Sequence, residues 1–281
     1  MPKKIARVFP TRTKATPDDG LSFSGPPELF MPEIDEVHIS IAFTWWLPKV
    51  DPSEYVDFLH KQWSRIAPVK IGGPAFGKPS STFTPGLYLK KGCVITSRGC
   101  HNKCWFCSVW KREPKLLELP IHSGYNLMDD NLLACSEGHI RSVFKMLKQQ
   151  KQPIEFTGGL EAALLKPWHI DLLLSIKIHQ MFFAYDEERD LEPLVSASKM
   201  LLEAGFDRQK MRCYCLIGYK GDTFEKAEKR LNTTLRLGFF PYAMLWRNKK
   251  GEVEKKWTKF QRNWLRPALI SHKLKELKDE D

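Results

Sequence analysis

The sequence predicts an α/β protein built on a parallel sheet, and three observations carry that reading. Apolar runs alternate with amphipathic stretches six times between residues 93 and 246. Four of those runs end in Gly or Asp, at Asp129, Gly158, Asp186 and Gly218, residue types that take a chain out of a strand and into a turn. A shorter strand–helix–strand pattern closed by Gly72-Gly73 precedes them. Alternating strands and helices imply right-handed crossovers on a parallel sheet, and six units fall short of an eight-stranded barrel.

Taken in order, residues 1–35 are rich in Pro, Gly, Thr and Lys without a sustained period, and read as an extended arm. Residues 36–90 read as a small βαβ unit. Val37 to Phe43 alternates apolar residues as a strand does, with His38 inside it, and Tyr55, Phe58, Leu59, Trp63 and Ile66 recur near helical spacing. Val69 to Ile71 forms the second strand, and Gly72-Gly73 shapes a turn; a lone Gly-Gly is a weak phosphate signal.

Residues 91–247 hold the regular repeat. Strand 1 is Cys93–Thr96, strand 2 Tyr125–Met128, strand 3 Ile154–Thr157, strand 4 Met181–Tyr185, strand 5 Arg212–Ile217 and strand 6 Phe240–Trp246. The helix after strand 2 shows Ile140, Val143, Phe144 and Leu147 at i, i+3, i+4, i+7. Pro167 opens the next helix and Gly205 closes the one after strand 4. Asp222-x-x-Glu225 looks like a capping box for the helix that runs to Gly238. Residues 248–281 break the rhythm: Lys249 to Gly251 is a loop, and a basic helix follows with Trp257, Phe260 and Trp264 on one face.

Composition sets outer limits. With 281 residues and 42% hydrophobic content, the chain can bury a sizeable core in one large domain or two smaller ones. No stretch approaches the ~18–20 apolar residues of a membrane helix, and no apolar segment follows the Met1-Pro2-Lys3-Lys4 start, so neither a membrane nor a signal peptide is expected. Seven cysteines at uneven spacing argue against a disulfide framework and for a reducing cytoplasm. The net charge of +11 permits an anionic partner without requiring one.

The chemistry concentrates in the loop after strand 1, where Cys100, Cys104 and Cys107 stand at C-x3-C-x2-C. Three thiolates on one loop can converge on a soft metal centre. Four-iron clusters usually take four cysteines, so a three-cysteine loop leaves one iron open. A zinc site with His101 or a distant ligand is the alternative, but zinc spacings more often come as two C-x2-C pairs, and no second pair follows. Cys93, Cys135, Cys213 and Cys215 read as core residues.

The C-x3-C-x2-C loop, with aromatic Phe106 before its third cysteine, resembles the cluster loop of the radical S-adenosylmethionine (SAM) enzymes. That resemblance implies a partial (β/α)6 TIM-like barrel, here with a small N-terminal βαβ (Rossmann-like) extension. It also implies a 4Fe-4S cluster on Cys100, Cys104 and Cys107 whose open iron chelates SAM. An external electron donor of the flavodoxin or ferredoxin type would reduce the cluster, and SAM would be cleaved to a 5′-deoxyadenosyl radical that abstracts hydrogen from a substrate. The cobalamin-type subfamily is similar, but the Asp-x-His-x-x-Gly cobalamin loop is missing, so no cobalamin is expected. No further cysteine group exists for a second cluster.

In such barrels function gathers at the C-terminal strand ends. By resemblance, Phe106 lies near the adenine. Asp129, Asp130 and Asn131 after strand 2, or Gly158, Gly159 and Glu161 after strand 3, hold the SAM amino group, since a carboxylate accepts hydrogen bonds from an ammonium. Asp129 and Asn131 as helix caps are the competing reading. Tyr185 and Asp186 reach the ribose or substrate, again with a helix cap as rival. Arg212, a charge among apolar neighbours, is a candidate for the methionyl carboxylate or an internal salt bridge. Ile217 and Gly218 would pack on adenine, the glycine allowing close approach. The substrate stays open. Lys255, Lys256, Arg262 and Arg266 interleaved with aromatics keep nucleic acid possible, and a non-catalytic metal knuckle binding nucleic acid is the rival to an enzyme.

Overall fold

The structure, a computed structural model, describes residues 3–43, 52–76, 82–248 and 250–279. Met1, Pro2 and Lys249, the first residue of the expected 249–251 loop, lie outside the described residues. The chain divides into two units, Met1–Val94 and Ile95–Asp281.

The first unit carries strands β1 (Ile5–Val8), β2 (Ser22–Phe23) and β3 (Glu36–Ser40), helix α1 (Pro52–Trp63) and strand β4 (Val69–Gly72). The strands form one parallel sheet in the order β2-β1-β3-β4. The βαβ pattern is therefore present, with His38 in its strand. The extended arm is not: Ile5–Val8 is an inner strand, paired from Ile5↔Glu36 to Val8↔Ile39. Ala6 and Val8 enter a core with Val37, Ile39, Leu59 and Trp63. Buried Arg7 pairs with Asp19 and donates to the Gly86 carbonyl at 3.2 Å. Four residues with a charge in the middle offer no period to read, which is why the strand is invisible in the sequence. Gly73 has φ +111°, and a Cβ there would stand 2.5 Å from the Ile41 carbonyl oxygen, so it is the turn glycine expected.

In the larger part of the chain β5 (Cys93–Val94) is followed by β6 (Ser97–Arg98), α2 (Val109–Arg112), β7 (Leu117–Glu118) and β8 (Asn126–Leu127). Then come α3 (Glu137–Leu147), β9 (Ile154–Phe156), α4 (Pro167–Leu174), β10 (Ile178–Ala184), α5 (Leu191–Glu203), β11 (Met211–Ile217), α6 (Phe224–Arg236) and β12 (Phe240–Leu245). Helices α7 (Lys255–Asn263) and α8 (Pro267–Asp279) end the chain. The six-stranded sheet runs β12-β11-β10-β9-β8-β5, and β8 to β12 pair in parallel, each with its neighbour in sequence. This is a mixed α/β architecture on parallel sheets. No described helix is long and apolar enough to cross a membrane.

Local chemistry explains the elements. Ser136 caps α3 by accepting from the His139 N–H at 3.2 Å, and Ile140, Val143, Phe144 and Leu147 are its buried stripe. Thr223, not Asp222, caps α6, accepting from the Lys226 N–H at 3.2 Å. Asp222 is instead paired with Arg230 at 2.9 Å and accepts from the Gly218 N–H. Strand 1 splits in two because Thr96 turns away to bind Asp129, and β6 then forms a hairpin with β7.

The sheet has two unlike faces. Met181, Phe183, Cys213, Cys215 and Ala243 are fully buried, while their alternating neighbours Tyr242 and Met244 are 44% and 42% exposed. Cys93 and Cys135 are buried too, as expected of core thiols. The tail packs inward: Trp257 and Trp264 are buried, and Phe260 stacks on Phe224 at 5.2 Å. Those indoles are closed to nucleobases, which removes the stacking half of the nucleic-acid reading of this segment.

Candidate metal centre

The cysteine loop leaves β6 through Gly99, whose φ of +85° and lack of a Cβ let it pass the Lys115 carbonyl; any side chain would overlap that oxygen. The residues after β8 fix the loop from below. Asp129 is buried; it accepts from Thr96 N–H and Oγ1–H, both at 2.6 Å, and from Ser97 Oγ at 3.0 Å. Burial nevertheless pushes its carboxyl above the ordinary range, against the pull of those bonds. Asp130 accepts from the Gly99 N–H at 2.9 Å. Asn131 Nδ2 donates to Cys100 Sγ at 3.4 Å and to Glu161 Oε2 at 2.5 Å, and His101 Nε2 stands 3.5 Å from Glu161 Oε1. The two strand-end segments thus meet at Cys100. Gly158 permits the approach, since a Cβ there would overlap the Asp129 backbone.

The sulfurs sit among N–H donors. Cys100 Sγ also receives the Asn102 N–H and Cys107 Sγ the Val109 N–H, each at 3.4 Å, and an Arg189 amino group stands 3.9 Å from Cys104 Sγ. Such donors favour thiolates and metal–thiolate bonds. Burial opposes them: it pushes the Cys104 thiol up to about 11 and raises that of Cys107, with neighbouring cysteines adding to the effect. A positive metal centre is what would reverse that balance. Among the described residues, no three His, Cys, Asp or Glu side chains group closely enough to hold one metal ion. A tetrahedral zinc needs its thiolates ~2.3 Å from a shared centre. Beside the loop lies a cavity of about 450 Å³ lined by Cys100, His101, Lys103, Trp110, Lys111 and Pro114.

The remaining predicted residues divide. Asn131 and Glu161 stand at Cys100, while Asp129 and Asp130 are taken up by the backbone and hydroxyls of the loop's approach. None of the three residues after β8 caps α3, so the capping alternative fails. Tyr185 is buried, and Asp186 accepts from the Leu216 N–H at 2.7 Å instead of capping a helix. That carboxyl is pushed up to about 7, chiefly by burial. Ile217 is wholly buried, and the space a Gly218 Cβ would need is filled by the Trp257 ring, 2.8 Å from that position. The Ile217 side chain and the Cβ side of Gly218 therefore serve packing. Arg212 is the second residue of β11, at the end of the strand away from the loop; its guanidinium lies 4.4 Å from the Phe240 ring centroid, and among the described residues it makes no ion pair. Gly159, at φ +101°, has only the Phe182 carbonyl oxygen near its missing Cβ, at 4.0 Å.

Sequence reasoning missed an aromatic group. Trp105, 46% exposed, packs edge-on against Phe106 at 5.3 Å and Tyr219 at 5.4 Å, lies 6.5 Å from Trp246, and donates to Glu187 Oε1 at 2.9 Å. Its only signal was a tryptophan inside the cysteine motif. No protein-family model matches the chain, and no curated protein matches it.

Proposed function

We propose that the chain is a radical SAM enzyme whose parallel sheet is a partial (β/α)6 barrel. The observation that carries the reading is the Asn131 amide, which links Glu161 to the sulfur of Cys100, the first cysteine of a C-x3-C-x2-C loop. A metal knuckle has no use for a buried amide and a carboxylate recruited from two neighbouring strand ends.

Cys100, Cys104 and Cys107 would hold the 4Fe-4S cluster, which when bound and reduced by a flavodoxin- or ferredoxin-type donor supplies the electron that cleaves SAM to a 5′-deoxyadenosyl radical. The chain's own residues bind and orient. Glu161, set by the Asn131 amide, offers a carboxylate to the SAM ammonium group. Asp129 and Asp130 hold the loop's path by taking Thr96, Ser97 and Gly99. Half-buried Phe106 and exposed Trp105 flank the loop on its aromatic side and limit water there. A reducing cytoplasm suits the seven free thiols.

Anaerobic reconstitution tests the metal. The expected result is about four irons per chain with thiolate-to-iron absorption. Alanine at Cys100, Cys104 or Cys107 abolishes both, and Cys213→Ala leaves both. Stoichiometric zinc in anaerobically purified protein would overturn the reading.

A further inference from the structure

The second face of the sheet has no role so far. Its residues follow from the strand register: Phe182 beside Arg212 beside Phe240, then Ala184 beside Tyr214 beside Tyr242, then Leu216 beside Met244, with Trp246 beyond. Phe182 and Tyr214 are stacked at 4.4 Å with 16° between their planes, and Tyr242 stands edge-on to Tyr214 at 5.6 Å. Tyr214 Oη donates to the Thr157 carbonyl at 3.3 Å, which fixes the ring. Phe182 is itself buried, so the accessible ring of this tier is Tyr242. Tyr242 and Met244, on edge strand β12, are exposed, so this margin of the face is open to solvent.

Arg212 gives the face its charge. Its guanidinium lies over the Phe240 ring, its Nε has no hydrogen-bond partner, and no carboxylate pairs with it among the described residues. Glu155, on the same face, lies with His179 at 3.9 Å. A half-buried guanidinium with an unpartnered Nε is only partly hydrated, and the contact with Phe240 offsets part of that loss. A ligand anion would complete it, and Arg matches a carboxylate or phosphate in bidentate fashion.

We propose that this face seats the substrate and takes a flat, ring-bearing molecule with an anionic group, the ring on the exposed Tyr242 side of the Tyr214–Tyr242 tier and the anion on Arg212. Calling the occupant a substrate rests on the enzyme reading above; the binding itself does not. The geometry also orients it. At ~3.3 Å per residue, Phe240 lies roughly 20 Å along β12 from Trp246, whose ring is 6.5 Å from Trp105 in the cysteine loop. The anion therefore occupies the end remote from the cysteines, and the bond that reacts lies on the other side of the ring.

Cluster-free protein is titrated by calorimetry with 2-naphthoate and with its neutral counterpart 2-naphthalenemethanol. The expected result is saturable naphthoate binding at least about tenfold tighter than the alcohol, the scale of one charge-assisted contact. Arg212→Gln should erase that difference and Arg212→Lys keep part of it. Tyr242→Leu, at an exposed position that leaves the core intact, should weaken both probes about threefold through lost ring contact, and it carries the test if Arg212→Gln does not fold. Absent naphthoate binding, or binding unmoved by the folded variants, overturns the proposal. Iron-loaded protein that cleaves SAM yet ignores naphthoate overturns the proposal and leaves the enzyme reading standing. Protein that binds naphthoate through Arg212 but takes no iron upholds the seat and sinks the enzyme reading.

Discussion

Three consecutive residues after β8 do three different jobs, although all were candidates for one. Asp129 holds the backbone and hydroxyls that bend the chain before the loop, Asp130 holds Gly99, and only Asn131 reaches a cysteine sulfur. The difference is which way each side chain leaves a tight turn, and residue type alone does not carry it. Asp186 shows a buried carboxyl with a measurable consequence. Its unfolded carboxyl titrates near 3.8 and its folded one near 7, so between those values the native state holds the extra proton. Stability from this group therefore falls as pH rises from about 4 to about 7 and is level above that. Asp186→Asn keeps an acceptor for the Leu216 N–H and removes the titration. Denaturant unfolding should show the variant gaining on the parent protein across that window, by at most about 4 kcal/mol at pH 8, and equal to it near pH 4. A constant difference at both pH values would show that the carboxyl is not desolvated.

Among the elements, α7 and the loop after β11 form one unit of packing. Gly218 has φ +78°, and the Trp257 ring occupies the place of its side chain. Trp257→Ala should cost ~3–5 kcal/mol as a buried aromatic is lost. Gly218→Ala should also destabilise, and should cost measurably less in the Trp257→Ala background, where the collision is gone. Additive losses in thermal unfolding would contradict the contact. The elements most legible in the sequence were those whose burial repeats: α3 with its i, i+3, i+4, i+7 stripe, and β11, whose burial alternates over Met211–Cys215. β1 escaped because four residues with Arg7 at the centre show no alternation, its charge being satisfied by Asp19 far along the chain. The start of α6 was misplaced by one residue because Asp222, a good cap by type, is taken by Arg230.

At the scale of the molecule, a sheet whose strands follow in sequence brings distant loops to one edge. The three cysteines were legible because their spacing is local. The meeting of Asn131 and Glu161, 30 residues apart, was not, because it depends on β8 and β9 lying side by side. Trp105, Tyr219 and Trp246 converge for the same reason. In the proposed enzyme this end of the sheet binds SAM beside the cluster-bearing cysteines. The most direct measurement is 5′-deoxyadenosine released from SAM by anaerobically reconstituted protein with dithionite and no added substrate. Slow release is predicted, abolished by Cys100→Ala, Cys104→Ala or Cys107→Ala and reduced by Glu161→Gln with its iron content unchanged. Protein carrying its full iron and reduced by dithionite, yet releasing no 5′-deoxyadenosine, would contradict the account.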